Sequence, residues 1–182
     1  MSAFGIKIRR NISAAVVASL LFVAVITGCQ GVIDDRIPSM PVAINLSDPA
    51  VWNTYGVSGF GMHRDFILFQ GLIQPAGFPY SSINCTGFGG VLLISGMDPF
   101  TSEAGVPLAY DLACPIEREQ TVRVAVDPET LDAVCPVCDS HYDVTMGAGA
   151  PVAGPALTGT KKYGLRRYRC IPSGQGGYII TD

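Results

Sequence analysis

Three cysteines between Ala113 and Pro155 are the residues of this sequence best suited to chemistry. Cys114 opens a Cys-Pro-Ile run, and Cys135 and Cys138 follow one predicted hairpin later in a Cys-Pro-Val-Cys run. The C-x-x-C spacing allows two thiolates to bind one metal ion. Three thiols brought together by two tight loops are suited to a metal site, to a disulfide, or to each at different times.

The segments around these cysteines predict a loop, a hairpin and a second loop. Apolar residues alternate along Pro107–Ala113, which predicts a half-buried strand that delivers Cys114 to a loop. Gln120–Val126 alternates in the same way, an Asp-Pro turn follows it, and Leu131–Val134 leads the chain back. Cys135 then lies beside Cys114 if these strands pair.

The rest of the chain is predicted to be mainly β. Its 182 residues suggest one domain with appendages, and 21 glycines and 13 prolines divide it into short runs that lack a sustained helical period. Asp48 before Pro49 indicates a single helical turn. Further short strands are predicted at Val42–Leu46, Ile67–Phe69 and Gly89–Ile94.

The N-terminus has the order of a secretory leader. Basic residues precede an apolar run, Ile12–Ile26, that is shorter than the ~20 residues a membrane-spanning helix needs. The run ends in Ile-Thr-Gly-Cys29, which resembles the bacterial lipobox and implies cleavage before Cys29 and lipidation of its thiol. We therefore expect a signal peptide over residues 1–28, a lipidated tether over 29–41 and the folded domain over 42–182.

The predicted location is the bacterial cell envelope, where the lipid on Cys29 would bind the protein to the membrane. Residue 30 is Gln rather than Asp, which by analogy favours the outer membrane and leaves periplasmic and surface-facing orientations open. Without the three basic residues of the leader, nine basic and fifteen acidic residues give a net charge of −6. We therefore expect no nucleic-acid partner.

The only basic cluster of the chain lies close to its C-terminus. It contains Lys161, Lys162, Arg166, Arg167 and Arg169. Basic residues on an exposed strand edge discourage pairing with other chains, which is one explanation. Contact with acidic lipid headgroups or with a protein partner is the other. No Ser/His/Asp order or paired carboxylates indicate a hydrolase, and both histidines are interpreted as non-catalytic.

The second half of the chain resembles the Rieske [2Fe–2S] domain. The parallels are Ala-Tyr-Asp-Leu-Ala-Cys114, the run from Cys135 through Asp-Ser140-His-Tyr142-Asp, and Gly149-Ala-Pro-Val-Ala-Gly-Pro-Ala156. The resemblance covers roughly residues 88–182. It implies an all-β, Rieske-like fold of stacked antiparallel sheets, with a small cysteine-containing subdomain at one tip.

The ligand set departs from that family. Cys114 and Cys135 stand at its cysteine positions, but its two histidine positions hold Ile116 and Cys138. Two histidines on one iron raise the potential of this cluster type, and both are missing here. A metal bound by the three cysteines would need a fourth ligand, for which Glu117 is the nearest candidate. His141 is a poorer candidate, because strand alternation points its side chain away from the side that Ser140 and Tyr142 face.

Two hydroxyl groups match family residues that hydrogen-bond the cluster sulfurs. These are Ser140 and Tyr142, which the resemblance places around the metal ligands. Six cysteines less Cys29 leave five, an odd number. If the three tip cysteines share a metal, Cys85 and Cys170 remain as a possible disulfide, which the oxidising envelope would favour.

Three functions follow from these observations. The first is a membrane-anchored, non-catalytic structural or binding component of the envelope, with a Rieske-like fold and a tip held by a disulfide or by packing. The second is an electron-transfer protein with an atypically ligated [2Fe–2S] cluster and a redox partner. The third is a cysteine-rich zinc or iron site. We expect the first, because Ile116 cannot ligate a metal.

Overall fold

The computed structural model describes residues 31–98 and 101–182. The predicted signal peptide and Cys29 lie outside the described residues. Among the described residues, no helix is both long enough and apolar enough to cross a membrane. The fold is all-β, as the sequence predicts, and the described residues include two short helices.

The described residues form twelve strands and two helices. The strands are β1 (Val42–Leu46), β2 (His63–Phe69), β3 (Leu72–Gln74), β4 (Cys85–Thr86), β5 (Val91–Met97), β6 (Ala104–Asp111), β7 (Ala125–Val126), β8 (Asp132–Val134), β9 (His141–Asp143), β10 (Ala150–Ala153), β11 (Arg167–Pro172) and β12 (Tyr178–Thr181). The helices are α1 (Pro49–Tyr55) and α2 (Pro155–Thr158).

Eight strands form a large, curled antiparallel sheet in the order β3-β2-β5-β6-β11-β12-β1-β4. Side chains on a strand alternate between faces, and β1 shows this pattern clearly. Val42, Ile44 and Leu46 are buried, whereas Ala43 and Asn45 are not. The alternation directs one face of the sheet to an apolar core that also contains Phe66, Leu93 and Ile180.

The remaining four strands form a small sheet in the order β10-β9-β8-β7. It shares a second apolar core with the large sheet, in which Tyr110 and Tyr142 are fully buried. The predicted strand over residues 120–126 is wrong in extent, since only Ala125–Val126 pairs with β8. Upstream of it, Arg123 forms a single bridge with Ala113, which brings the chain past the end of β6.

Helix α1 confirms the predicted helical turn. The Asp48 side chain accepts hydrogen bonds from the N–H groups of Ala50 and Val51, at 2.8 and 3.1 Å. These N–H groups have no partner within the helix, so a carboxylate at this position stabilises the first turn. Trp52 is half-buried against the core of the large sheet.

The segment before β1 is not a free tether from Val32 onward. Ile33 forms a parallel bridge with Tyr163, and Ile37 is buried with its carbonyl accepting a 2.8 Å hydrogen bond from Arg166. The predicted tether over residues 29–41 is therefore too long, and the folded domain begins near Val32 rather than at Val42. Its two prolines and two aspartates suggested a linker, but its isoleucines have partners that are distant in sequence.

Candidate metal-binding site

The structure brings the three predicted cysteines together. Cys114 follows β6, Cys135 follows β8 and Cys138 lies in the loop before β9. Their sulfur atoms all lie within 4.8 Å of one another, and the Cys114 and Cys138 sulfurs are 3.7 Å apart. Cys114 and Cys135 are buried, and Cys138 is half-buried. Among the described residues, the three thiols form a compact group of metal-ligand type.

Backbone hydrogen bonds at the ends of three strands position these thiols. The Val124 N–H donates to the Leu112 carbonyl at 2.8 Å, and the Cys114 N–H donates to the Val122 carbonyl at 3.1 Å. The next segment forms β7, which pairs with β8 and so places Cys135 beside Cys114. The sequence predicted that Cys135 lies beside Cys114, and this prediction is confirmed.

The two cysteine loops have the same backbone conformation. Each begins Cys-Pro and closes with an N–H donated to the carbonyl of its cysteine, from Arg118 to Cys114 at 2.9 Å and from Asp139 to Cys135 at 3.1 Å. The closing residues both have positive φ, 60° at Arg118 and 55° at Asp139. L-residues rarely adopt this conformation, so its repetition indicates two copies of one loop design. We call them loop 1 (Cys114–Arg118) and loop 2 (Cys135–Asp139).

The loop equivalence gives Glu117 a defined position. Glu117 is the fourth residue of loop 1, as Cys138 is the fourth residue of loop 2. The Glu117 carboxylate does not belong to the group of ligand atoms within 4.8 Å, which contains the three sulfurs only. Ligation by Glu117 stays a prediction. Ile116, at the position where the Rieske pattern has histidine, packs against the apolar core.

The hydroxyl groups of Tyr142 and Ser140 contact the sulfurs, as the resemblance implied. The Tyr142 hydroxyl lies 3.4 Å from the Cys114 sulfur, and the Ser140 Oγ lies 3.2 Å from the Cys138 sulfur. Ser140 Oγ also accepts a hydrogen bond from the Ala156 N–H at 3.2 Å. Both side chains are buried beside the thiols.

Burial disfavours the thiolate form of two of the three cysteines. It raises the pKa of Cys114 to about 12, an increase that hydrogen bonds from Tyr142 and from the N–H groups of Glu117 and Ile116 only partly offset. Burial also raises the pKa of Cys138, against hydrogen bonds from Ser140. Without a nearby cation, Cys114 and Cys138 therefore favour the neutral thiol form at neutral pH. A bound metal cation would supply the charge that stabilises the thiolates.

The histidines lie outside the thiol group. His141, on β9, is 3.7 Å from Asp132 and 3.6 Å from Asp139, measured from its ring nitrogens to the carboxylate oxygens. His63 lies on β2, with Nδ1 3.4 Å from the Gly61 carbonyl. The group of ligand atoms within 4.8 Å that the three sulfurs form contains neither ring.

The predicted disulfide between Cys85 and Cys170 is not formed. Both cysteines are free, and β12 and β1 lie between their strands, β11 and β4. Three inter-strand spacings of about 4.8 Å exceed the ~7 Å between Cα atoms that a disulfide allows. Cys170 lies opposite buried Ile180 and packs against the core, and its burial raises its pKa to about 12. The sequence predicted β1 at Val42–Leu46, but not the strand order that places β12 and β1 between the two cysteines.

Sequence reasoning missed one residue that positions Cys114. The buried Asp111 carboxylate accepts hydrogen bonds from the N–H groups of Phe88, Gly89 and Ala113 at 2.7–2.9 Å, and from the Tyr168 hydroxyl at 2.6 Å. These bonds fix the backbone where β6 leads into loop 1. In the sequence, Asp111 stands at a polar position of an alternating strand, which predicts a solvent-exposed side chain.

Comparison with known proteins adds no assignment to this geometry: no family model, no curated protein and no solved structure matches the chain.

Proposed function

We propose that this chain is a lipoprotein of the bacterial envelope, anchored through Cys29, whose domain is a non-catalytic structural or binding component. The two loops at its small sheet are held together by one thiophilic metal ion, Zn²⁺ or iron, bound by Cys114, Cys135 and Cys138. The fourth position is taken by Glu117 or by water.

The spacing of the sulfur atoms carries this proposal. Zinc–thiolate bonds of about 2.3 Å in tetrahedral geometry place two sulfurs about 3.8 Å apart. The Cys114 and Cys138 sulfurs are 3.7 Å apart, and the Cys135 sulfur lies within 4.8 Å of both. The thiols therefore need only small rotations to surround a single ion. Oxygen-preferring ions such as Mg²⁺ and Ca²⁺ do not suit such donors.

The same spacing does not fit a two-iron cluster. A [2Fe–2S] cluster takes four protein ligands, two on each iron, so ligands of different irons lie on opposite sides of its core. Here the three sulfurs are all mutual neighbours, and Ile116 offers no donor atom. The resemblance to the Rieske domain therefore supports the proposed arrangement of sheets and loops, but not its cluster.

The residues around the thiols have defined tasks in this proposal. Tyr142 and Ser140 orient the Cys114 and Cys138 sulfurs and donate hydrogen bonds to them when they are thiolates. Asp111 holds the strand that leads into loop 1. A bound ion would supply the positive charge that keeps the buried thiols deprotonated, and would cross-link the end of β6 to β8 and β9.

Metal analysis of residues 30–182, which contain the whole described domain, tests the proposal. The protein is produced and purified without oxygen, and its zinc, iron and acid-labile sulfide are measured. The proposal expects about one ion per chain and no sulfide. A metal-free protein with its tip cysteines in a disulfide would reject the metal site and leave a tip held by oxidation.

The anchor is tested separately, by the mass of the mature protein from a bacterium that processes lipoproteins. The proposal expects an N-terminal Cys29 that carries acyl chains, and a Cys29→Ala variant that is neither cleaved nor lipidated at this position. A mature protein with an unmodified thiol at residue 29, released from the membrane, would contradict the anchor and leave the metal result intact.

A further inference from the structure

The N-terminal segment of the domain is fixed beside the Lys161–Lys162 loop. The Ile33 N–H donates to the Lys162 carbonyl at 2.8 Å, and the Gly164 N–H donates to the Ile33 carbonyl at 2.8 Å. The Arg36 guanidinium lies 3.9 Å from the centre of the Tyr163 ring. Because contacts lie on both sides of Ile33, the chain cannot leave this position without losing them. We call Val32–Arg36 and Lys161–Tyr163 together the N-terminal surface.

Very little chain separates this surface from the proposed lipid anchor. Only Gln30 and Gly31 lie between Cys29 and Val32. A fully extended chain spans at most about 3.6 Å per residue, so Val32 lies within about 11 Å of Cys29. The acyl chains on Cys29 lie in the bilayer, whose headgroup region is about 6 Å thick on each side. The proposed anchor therefore holds the N-terminal surface at the headgroup layer.

The charges of the N-terminal surface allow this contact. Arg36, Lys161 and Lys162 supply three positive charges, against two negative charges from the exposed Asp34 and Asp35. One net positive charge is attracted only weakly to an anionic leaflet, and the effect is confined to roughly a Debye length. This attraction is too weak to bind the domain alone, so the short link to Cys29 supplies most of the constraint.

The thiol site is connected to the same surface. Ser140, which contacts the Cys138 sulfur, accepts a hydrogen bond from the Ala156 N–H, and the Ala156 carbonyl accepts one from the Tyr163 N–H at 3.2 Å. Three hydrogen-bonded steps thus lead from Cys138 to the N-terminal surface. A domain held by this surface keeps its cysteine loops at a fixed distance from the bilayer.

We infer that the N-terminal surface is a membrane-contact surface, which lies against the phospholipid headgroups of the bilayer that holds Cys29. The inference rests on the proposed lipidation of Cys29 and goes beyond it, because it replaces a freely rotating tether with one fixed orientation. Lys161 and Lys162 face the headgroups, and the Ser173–Gly177 turn lies at the other end of β11, away from the membrane.

Lysine labelling provides a direct test, because Lys161 and Lys162 are the only lysines after the leader. A Gln175→Lys variant adds one exposed reference lysine in the turn after β11. The full chain is produced in a lipoprotein-processing bacterium, and the mature protein is reconstituted in vesicles of phosphatidylethanolamine and phosphatidylglycerol. An amine-reactive acetylating reagent is applied, and acetylation at each lysine is followed by mass spectrometry.

The matched control carries the same reference lysine and a ten-residue Gly/Ser insertion between Gly31 and Val32. The inference expects Lys161 and Lys162 to react several-fold more slowly, relative to the reference lysine, with the native link than with the lengthened one. Equal ratios in two lipidated, vesicle-bound proteins would overturn the inference and leave the anchor in place. A protein without lipid would overturn the anchor and the inference together, whereas the metal assay is independent of both.

Discussion

Loop 1 and loop 2 have the same backbone conformation but carry different side chains at the fourth position. Both run Cys-Pro to a residue with positive φ, and both close with the same hydrogen bond to the cysteine carbonyl. Loop 2 offers a second thiol at its fourth position, whereas loop 1 offers Glu117. The loops also differ in exposure at their second position, because Pro115 of loop 1 is buried while Pro136 of loop 2 is exposed.

This comparison distinguishes the residues that determine the shape of a cysteine loop from the residue that determines how many metal ligands the loop supplies. The shared Cys-Pro start and the closing hydrogen bond determine the loop shape, and they are present in both copies. The fourth residue determines how many ligands the shape delivers, and it differs between them. The comparison therefore predicts that the ligand set can be altered at position 117 without loss of the loop, whereas the first cysteine of either loop is indispensable.

Removal of a first-position thiol is the largest change the comparison predicts. Cys114→Ser should abolish stoichiometric metal binding, because the buried ligand is lost and a serine hydroxyl stays protonated at neutral pH. Metal content of the purified domain is the measurement, and Cys85→Ser, on β4 and outside the group of three sulfurs, is the control. Full metal content in the Cys114 variant would break the assignment of the site.

Loss of the Tyr142 hydroxyl should have the next largest effect on metal binding. Tyr142→Phe keeps the buried ring and removes the group 3.4 Å from the Cys114 sulfur. Outer groups of this kind affect metal affinity about 10–100-fold. Competition with a chelator measures the change, and Tyr55→Phe, whose hydroxyl bonds to Gly77, serves as the matched control. An affinity identical to that of the native protein would show that Tyr142 only fills the core.

Conversion of loop 1 to the composition of loop 2 sharpens the comparison. Glu117→Cys should raise zinc affinity by about tenfold, since a fourth thiolate completes a closed tetrahedral set. Glu119→Cys adds a thiol outside the loop and should leave affinity unchanged. If Glu117→Cys also leaves affinity unchanged, the fourth residues of the two loops are not equivalent, and water or another group completes the coordination.

The smallest predicted effect is on stability, and it concerns the residue with positive φ that closes loop 1. Arg118→Gly should stabilise the metal-free domain by roughly 1 kcal/mol, because an L-residue in the left-handed region is strained and glycine is not. Urea unfolding is the measurement, and Glu119→Gly, one residue on, should instead be neutral or destabilising. A destabilised Arg118→Gly variant would indicate that the arginine side chain, rather than the backbone, holds loop 1.

The candidate site was more predictable from the sequence than the chain that surrounds it. The cysteine spacing and the alternation in β6 are local signals, and they placed Cys135 beside Cys114 correctly. The roles of Ser140 and Tyr142 came from the resemblance to the Rieske domain. Strand Val42–Leu46 was predicted with its observed bounds.

The wrong predictions depended on partners distant in sequence. The tether from Val32 was assigned by composition, but Ile33 and Ile37 gain partners from residues 162–166. The pairing of Cys85 with Cys170 required the order of four strands, which no local pattern encodes. The burial of Asp111 is of the same kind, because its donors Phe88 and Tyr168 come from other segments.

The most direct test of the central claim is a metal and sulfide assay, with a visible absorption spectrum, on residues 30–182 purified without oxygen. The account predicts about one zinc or iron per chain, no acid-labile sulfide, and loss of the ion in Cys114→Ser. Two irons with sulfide would contradict it in favour of a cluster. A domain without metal, whether its tip thiols are free or oxidised, would contradict it as well.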